Sequence, residues 1–212
     1  MIATTLRRPR VEGDREAELL DATVSVLADV GYDRLTMDQV AVRARASKAT
    51  LYRRWSSKAE LVVDAVSRAK GLPDAEVPDT GSLRGDLLSL ACGPCGQARQ
   101  LSMSVLAGLL TALHTDPDLS TAWRERFLAP RVAVTRTVLE RAASRGETES
   151  TLDLELIATV LPAMCAFRCT VQGLGVDEQY VARVLDEVIL PAALTSTAKR
   201  QTTHTNDAKD LK

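Results

Sequence analysis

Two thiols separated by two residues, in Cys92-Gly93-Pro94-Cys95, can exchange with a disulfide when one of them is a thiolate at a helix N-terminus. The sequence before them does not supply that setting. Leu83, Leu87 and Leu90 recur at helical spacing, so the pair falls at a helix end and no strand leads into it. That disfavours a thiol oxidoreductase. A redox-responsive regulator, in which Cys92 and Cys95 form a reversible disulfide, stands as the alternative reading. Cys165 and Cys169, one helical turn apart, serve as small apolar fillers. The only histidines are His114 and His204, so no metal site, cofactor or catalytic residue is expected and the chain is not read as an enzyme.

A second kind of chemistry is concentrated between Arg34 and Lys58. Seven basic residues (Arg34, Arg43, Arg45, Lys48, Arg53, Arg54 and Lys58) stand there against one acidic residue, Asp38, a local charge of +6. The whole chain carries −1, so the remainder carries −7. A basic block in an otherwise acidic chain is the footprint of a nucleic-acid face, because neutralising phosphates supplies sequence-independent affinity. The alternative is a solvated helix surface.

Capping residues cut the same stretch into short helices. Thr36 and Gln39 have the spacing of a capping box, in which a hydroxyl and a side-chain amide satisfy two helix-start N–H groups. Ser47 is placed to start a second helix after the turn Ala44-Arg45-Ala46, and Ser57 with Glu60 repeats the box for a third. Two short helices at an angle across a tight turn read as a helix-turn-helix, with Trp55-Ser56 as the hinge to the third helix. Ahead of it, Asp14 to Val30 reads as a bracing helix, with Leu20, Val24 and Leu27 on one face and Gly31 at its end.

The residues Thr36, Val40, Ala41, Ala44, Ser47, Leu51, Tyr52, Trp55, Lys58 and Leu61, at these spacings, resemble the N-terminal domain of the TetR family of transcriptional regulators. Two positions depart from the family pattern. Arg45 stands where the family usually has a turn glycine, and Trp55 where it usually has phenylalanine. Arg45 therefore needs either an uncommon backbone conformation or a differently shaped turn. The resemblance implies a double-stranded DNA operator as partner. It places Lys48 and Thr50 at the base-reading end of the recognition helix, with Arg45 and Arg53 assisting, and Thr36, Tyr52 and Lys58 at phosphates. An arm bearing Arg7, Arg8 and Arg10 either enters a minor groove or is a basic tail.

Beyond the head the periodicity is helical throughout, so the expected fold class is all-α. With 45% hydrophobic but 3% aromatic residues, its core is built from Leu, Val and Ala. The expected organisation is a DNA-binding domain over 1–56, a connecting helix and linker over 57–80, a helical effector-binding and dimerisation domain over 81–195, and a tail over 196–212. Asp116-Pro117 starts a long helix that Pro130 kinks or divides. No signal peptide or membrane-spanning run is visible, which predicts a cytoplasmic protein with no membrane partner.

The resemblance also implies that the second domain binds an unknown small-molecule effector and forms a homodimer, and that the protein is a repressor released by that effector. Met103, Leu106, Leu110, Trp123, Phe127, Met164, Phe167 and Arg168 are the residues assigned to the effector pocket, with core packing as the alternative for each apolar one. Arg168, in an apolar helix, needs a partner, either a carboxylate of the protein or an anionic or polar group of a ligand, and the internal carboxylate is the one expected. The last two helices carry more apolar surface than one core face needs, which suggests pairing with a second copy through Val181, Val184, Leu185 and Val188.

Overall fold

The computed structural model describes residues 12–71, 77–92, 103–148 and 153–194. Among the described residues the regular structure is helical, and the sole β-type pairing is an isolated antiparallel bridge between Thr148 and Leu194. No helix among them is long and apolar enough to cross a membrane.

Four helices build the head. α1 (Glu12–Arg34) is interrupted at Gly31, whose φ of 76° turns the chain before a last turn of helix ending at Arg34. α2 (Met37–Arg43) opens on the predicted capping box: Thr36 Oγ1 accepts from the Gln39 N–H, and the Gln39 side chain accepts from the Thr36 N–H. α3 (Lys48–Tyr52) is capped by Ser47, and α4 (Lys58–Ala69) by Ser57. The Glu60 carboxylate reaches one residue further back than a capping box requires and accepts the Ser56 N–H at 2.8 Å.

The remaining helices are α5 (Leu83–Cys92), α6 (Met103–Thr115), α7 (Pro117–Ala122), α8 (Ala129–Ser144), α9 (Leu154–Thr170), α10 (Glu178–Val184) and α11 (Leu190–Ala193). Asp116 caps α7 with proline at its first position, as its sequence predicts. Pro130 leaves the long helix divided but without a non-helical break. α7 runs into α8 through a π-helical stretch, Trp123–Leu128, in which the Ala129 N–H donates to the Arg124 carbonyl five residues back. Proline lacks an N–H and its ring crowds the carbonyl four residues earlier, and widening the preceding turn relieves both problems. The released Arg126 carbonyl faces the Ser67 hydroxyl at 3.5 Å. The same device recurs ahead of Pro191, where Leu185–Ile189 is π-helical and joins α10 to α11.

Two apolar cores result. The first joins the head to the helices beyond the linker: Leu19, Leu27, Leu51, Trp55, Leu61 and Val66 pack with Val105, Leu109 and Ala112 of α6 and Leu119 of α7. The second holds α5, α8 and the terminal helices together, through Leu83, Leu87, Val138, Leu139, Val184, Leu185 and Ile189. Burial of such a set, at about 25 cal/mol per Å² of apolar surface, is what orders helices too short to be stable alone. A bidentate ion pair from Arg84 to Asp186, at 2.7 and 2.9 Å, fixes α5 against the last helical segment.

Candidate nucleic-acid interface

The turn between α2 and α3 is a Schellman motif built without glycine. The Arg45 N–H donates to the Val42 carbonyl at 3.1 Å, and the Ala46 N–H donates to the Ala41 carbonyl at 2.8 Å. Arg45 takes the left-handed conformation this motif demands, with φ 49°, and is the only non-glycine residue with positive φ among those described. The uncommon-backbone reading of Arg45 is thus the one realised. α1 secures it: Arg15 Nη2 donates to the carbonyls of Ala44 and Arg45, each at 3.1 Å.

Within this frame the basic residues divide by what already occupies them. Arg43 pairs with Asp29 and Ser25, and Arg54 with Glu16, so these two cations tie the helix-turn-helix to α1. Arg45 and Arg53 are exposed, with no carboxylate within 4 Å among the described residues. Lys48 is exposed at the first position of α3. Its ammonium stands 3.0 Å from Asp38, and the hydrogen bond to that carboxylate raises its pKa. Thr50 hydrogen-bonds through its hydroxyl to Ser47 Oγ at 2.8 Å, and Tyr52 is exposed beside Lys48. Thr36 is engaged in its cap. Lys58 is half-buried: it donates to the Tyr32 carbonyl at 3.2 Å and lies 4.2 Å over the Tyr32 ring.

Thus α3 offers its N-terminal end and its free face, with Lys48 and Tyr52 exposed, Thr50 half-buried and Arg53 exposed just past its end, while Leu51 and Trp55 anchor its other side in the core. A short helix held this way, with caps satisfying its first N–H groups and cations on its free side, has the dimensions of a major-groove reader. Trp55 in the aromatic position buries an indole N–H, which Asp64 accepts at 2.8 Å.

Residues assigned to the effector pocket fall in different places. Trp123 and Phe127 stack at 4.0 Å and pack against the first core. Leu110, Met164 and Phe167 are exposed, Phe167 by 52%. The backbones of Met103 and Leu106 lie in α6, and their side chains are outside the described set. Arg168, contrary to the expectation, pairs with no carboxylate among the described residues. It donates to the Gly175 carbonyl at 2.7 Å and stacks over the Tyr180 ring at 4.1 Å, because the turn after α9 folds both groups back onto it. Of the four dimer residues, Val181, Val184 and Leu185 are buried in the chain's own second core, and Val188 alone is exposed. Apolar surface is left open on α9 and just beyond it, at Leu156, Phe167, Val171 and Leu174, and also at Val42, Leu110 and Leu128 on other elements. Periodicity finds the apolar positions but not which of them the chain's own helices cover.

Burial pushes the Cys92 thiol up, with the Glu178 charge adding to it, and burial pushes the Cys165 thiol up to about 11. A thiol held protonated is a poor nucleophile, so neither is activated. Cys95 and the arm with Arg7, Arg8 and Arg10 lie outside the described residues.

An all-helical chain whose head presents a capped, cation-bearing helix across a Schellman turn has the build of a helix-turn-helix transcriptional regulator. Known proteins agree with this. Residues 19–65 match the family of bacterial regulatory proteins, tetR family, and residues 77–188 match the tetracyclin repressor-like C-terminal domain. An uncharacterized HTH-type transcriptional regulator of Mycobacterium tuberculosis is 39% identical over 184 residues, covering 86% of this chain and 90% of that protein. The DNA-binding transcriptional repressor TetR of Mycobacteroides abscessus is 39% identical over 176 residues, covering 83% and 92%. The crystal structure of the TetR family transcription regulator SCO0332 superposes with a TM-score of 0.59 at 28% identity, covering 86% of this chain and 100% of that one. The chain belongs to the TetR family of transcriptional regulators, DNA-binding proteins and not enzymes.

Proposed function

We propose that the chain is a cytoplasmic repressor that binds a two-fold operator as a homodimer and is released by a small-molecule effector. The observation that carries this reading is the free side of the helix-turn-helix: among the described residues Arg45 and Arg53 are exposed with no carboxylate within 4 Å, while Arg43 and Arg54 tie the head to α1. Lys48 and Thr50 read base edges near the start of α3, assisted by Arg45 and Arg53. Thr36, Tyr52 and Lys58 meet phosphates, Lys58 after giving up its contact with Tyr32. The sign of regulation is supported by the repressor name of the Mycobacteroides abscessus relative.

Dimerisation uses the last helices. A second copy covers the exposed stripe of α9 and its following turn, Leu156, Phe167, Val171 and Leu174, together with Val188. The effector enters the second domain beside α6 and the Trp123-Phe127 stack, and it lowers operator affinity by as much as it prefers the arrangement that does not bind DNA.

The test is a gel shift on the DNA upstream of the protein's own gene, with and without candidate ligands. Retention that falls with salt and with one ligand class supports the reading; a ligand that strengthens retention contradicts release.

A further inference from the structure

Arg126 sits in the π-helical stretch between α7 and α8, and its guanidinium spans two carboxylates of α4. Nη2 lies 3.0 Å from Glu60 Oε1, and Nη1 lies 2.9 Å from Asp64 Oδ2. Glu60 and Asp64 are one helical turn apart, so a forked, planar donor can engage both where an ammonium cannot. Each carboxylate also holds a second donor. Glu60 Oε2 accepts the Ser56 N–H, and Asp64 Oδ2 accepts the Trp55 indole N–H, both at 2.8 Å. One side chain of the regulatory half is therefore joined, through two carboxylates, to two consecutive residues at the joint between α3 and α4.

The π-helical turn is what aims it. Each residue of an α-helix advances about 100°, so removing the extra residue of the π turn would rotate Arg126 relative to α8 by about that angle. A second arginine, Arg131, grips the other end of α4, donating to the Ser67 and Gly71 carbonyls at 3.3 and 2.8 Å while its guanidinium covers the Phe127 ring at 3.8 Å. The second grip thus also covers the Trp123-Phe127 stack. The head is not held to this half by Arg126 alone. Tyr32 donates to Asp116 at 2.7 Å, and the first core runs continuously through α1, α4, α6 and α7.

We infer that Arg126 is a positioning residue for DNA binding: through Glu60 and Asp64 it fixes the angle of the recognition unit on α4, and so the separation of the two α3 helices across the dimer. This rests on the proposed reading of a dimer on two half-sites. A residue that only stabilised the fold would lower affinity for every duplex alike. A residue that sets separation changes which half-site spacing is tolerated.

The experiment uses the full-length protein and the duplex it enriches from random-sequence DNA, alongside versions with base pairs inserted at the centre. Wild type is expected to lose roughly a hundredfold in affinity on the respaced duplexes, because the second head can no longer engage. Arg126→Met, with its helical signal intact, is expected to reduce that penalty to below about tenfold, and Arg126→Lys to fall between the two. Asp64→Asn keeps an acceptor for the indole and removes the charge, so it carries the same expectation if Arg126→Met does not fold. A folded Arg126→Met or Asp64→Asn protein with the wild-type spacing penalty overturns the inference. A wild-type protein indifferent to spacing overturns the dimer reading itself, and this inference with it.

Discussion

The Lys48 ammonium and the Asp38 carboxylate face each other at 3.0 Å across the outer side of the helix-turn-helix. Asp38 is the only acidic residue between Arg34 and Lys58, and it neutralises the cation nearest the start of the recognition helix. A base edge competes with Asp38 for that cation. Asp38→Asn is expected to raise affinity for the operator more than for random-sequence duplex, since the lost carboxylate relieves repulsion of phosphates on any duplex while a freed Lys48 adds a base contact only at the operator. Fluorescence anisotropy on the two duplexes reads this directly, and an equal gain on both would mean that Lys48 does not reach a base edge.

Arg45 separates stability from binding. A left-handed non-glycine residue costs about 1–2 kcal/mol, which glycine avoids while losing about as much through the freedom of its unfolded chain. Arg45→Gly is expected to leave the urea midpoint nearly unchanged, whereas Arg45→Val, branched at Cβ, is expected to destabilise by about 1–3 kcal/mol. Both should weaken operator binding if the guanidinium touches DNA. Equal stability of the Gly and Val variants would remove the strain argument.

The cap pattern made this head legible from sequence: Thr36 with Gln39, Ser47 and Ser57 all cap the helices they precede, as Asp116 does beyond the head. Caps are local, so sequence spacing suffices to find them. The uncommon conformation at Arg45 was legible as one of two alternatives for the same reason. What depends on distant approach was not. The Arg126 bridge and the capture of Lys58 by Tyr32 each join residues from different helices. Val181, Val184 and Leu185 show the same gap: their spacing marks a buried stripe but does not say whether the chain's own core or a second copy covers it.

Acid should loosen the second core first at Asp86. This carboxylate is fully buried. Burial raises its pKa, but the Thr80 N–H and hydroxyl and the Arg145 guanidinium outweigh that and hold it below the usual range. A folded pKa below the unfolded one gives stability that is complete above the ordinary carboxylate pKa and is lost as pH falls through the folded value. Asp116 and Glu60 shift the same way, Asp116 chiefly through the Leu119 N–H and Glu60 chiefly through the Ser56 N–H. Urea midpoints are therefore expected to be flat near neutrality and to drop below about pH 4. Asp86→Ala should cost about 1–3 kcal/mol at pH 7 by leaving buried donors unpaired. A midpoint that rises on acidification would contradict the sign.

The thiols should be slow. With Cys165 pushed up to about 11, alkylation of the folded protein by iodoacetamide at pH 8 is expected to lag that of the urea-unfolded chain at this residue by at least about tenfold. Replacing Cys92 and Cys95 by serine should leave DNA binding, with or without peroxide, unchanged. Loss of an oxidant response in that variant would restore the redox-responsive alternative.

Whether this chain reads DNA through α3 as a two-fold dimer is decided by selection from random-sequence duplex with the full-length protein. The predicted result is an inverted repeat whose half-sites lie about one helical turn apart, roughly 34 Å, with base preference altered by Thr50→Ala and binding weakened uniformly by Lys58→Ala. Enrichment of a single, non-repeated site, or a preference that Thr50→Ala leaves untouched, would contradict it.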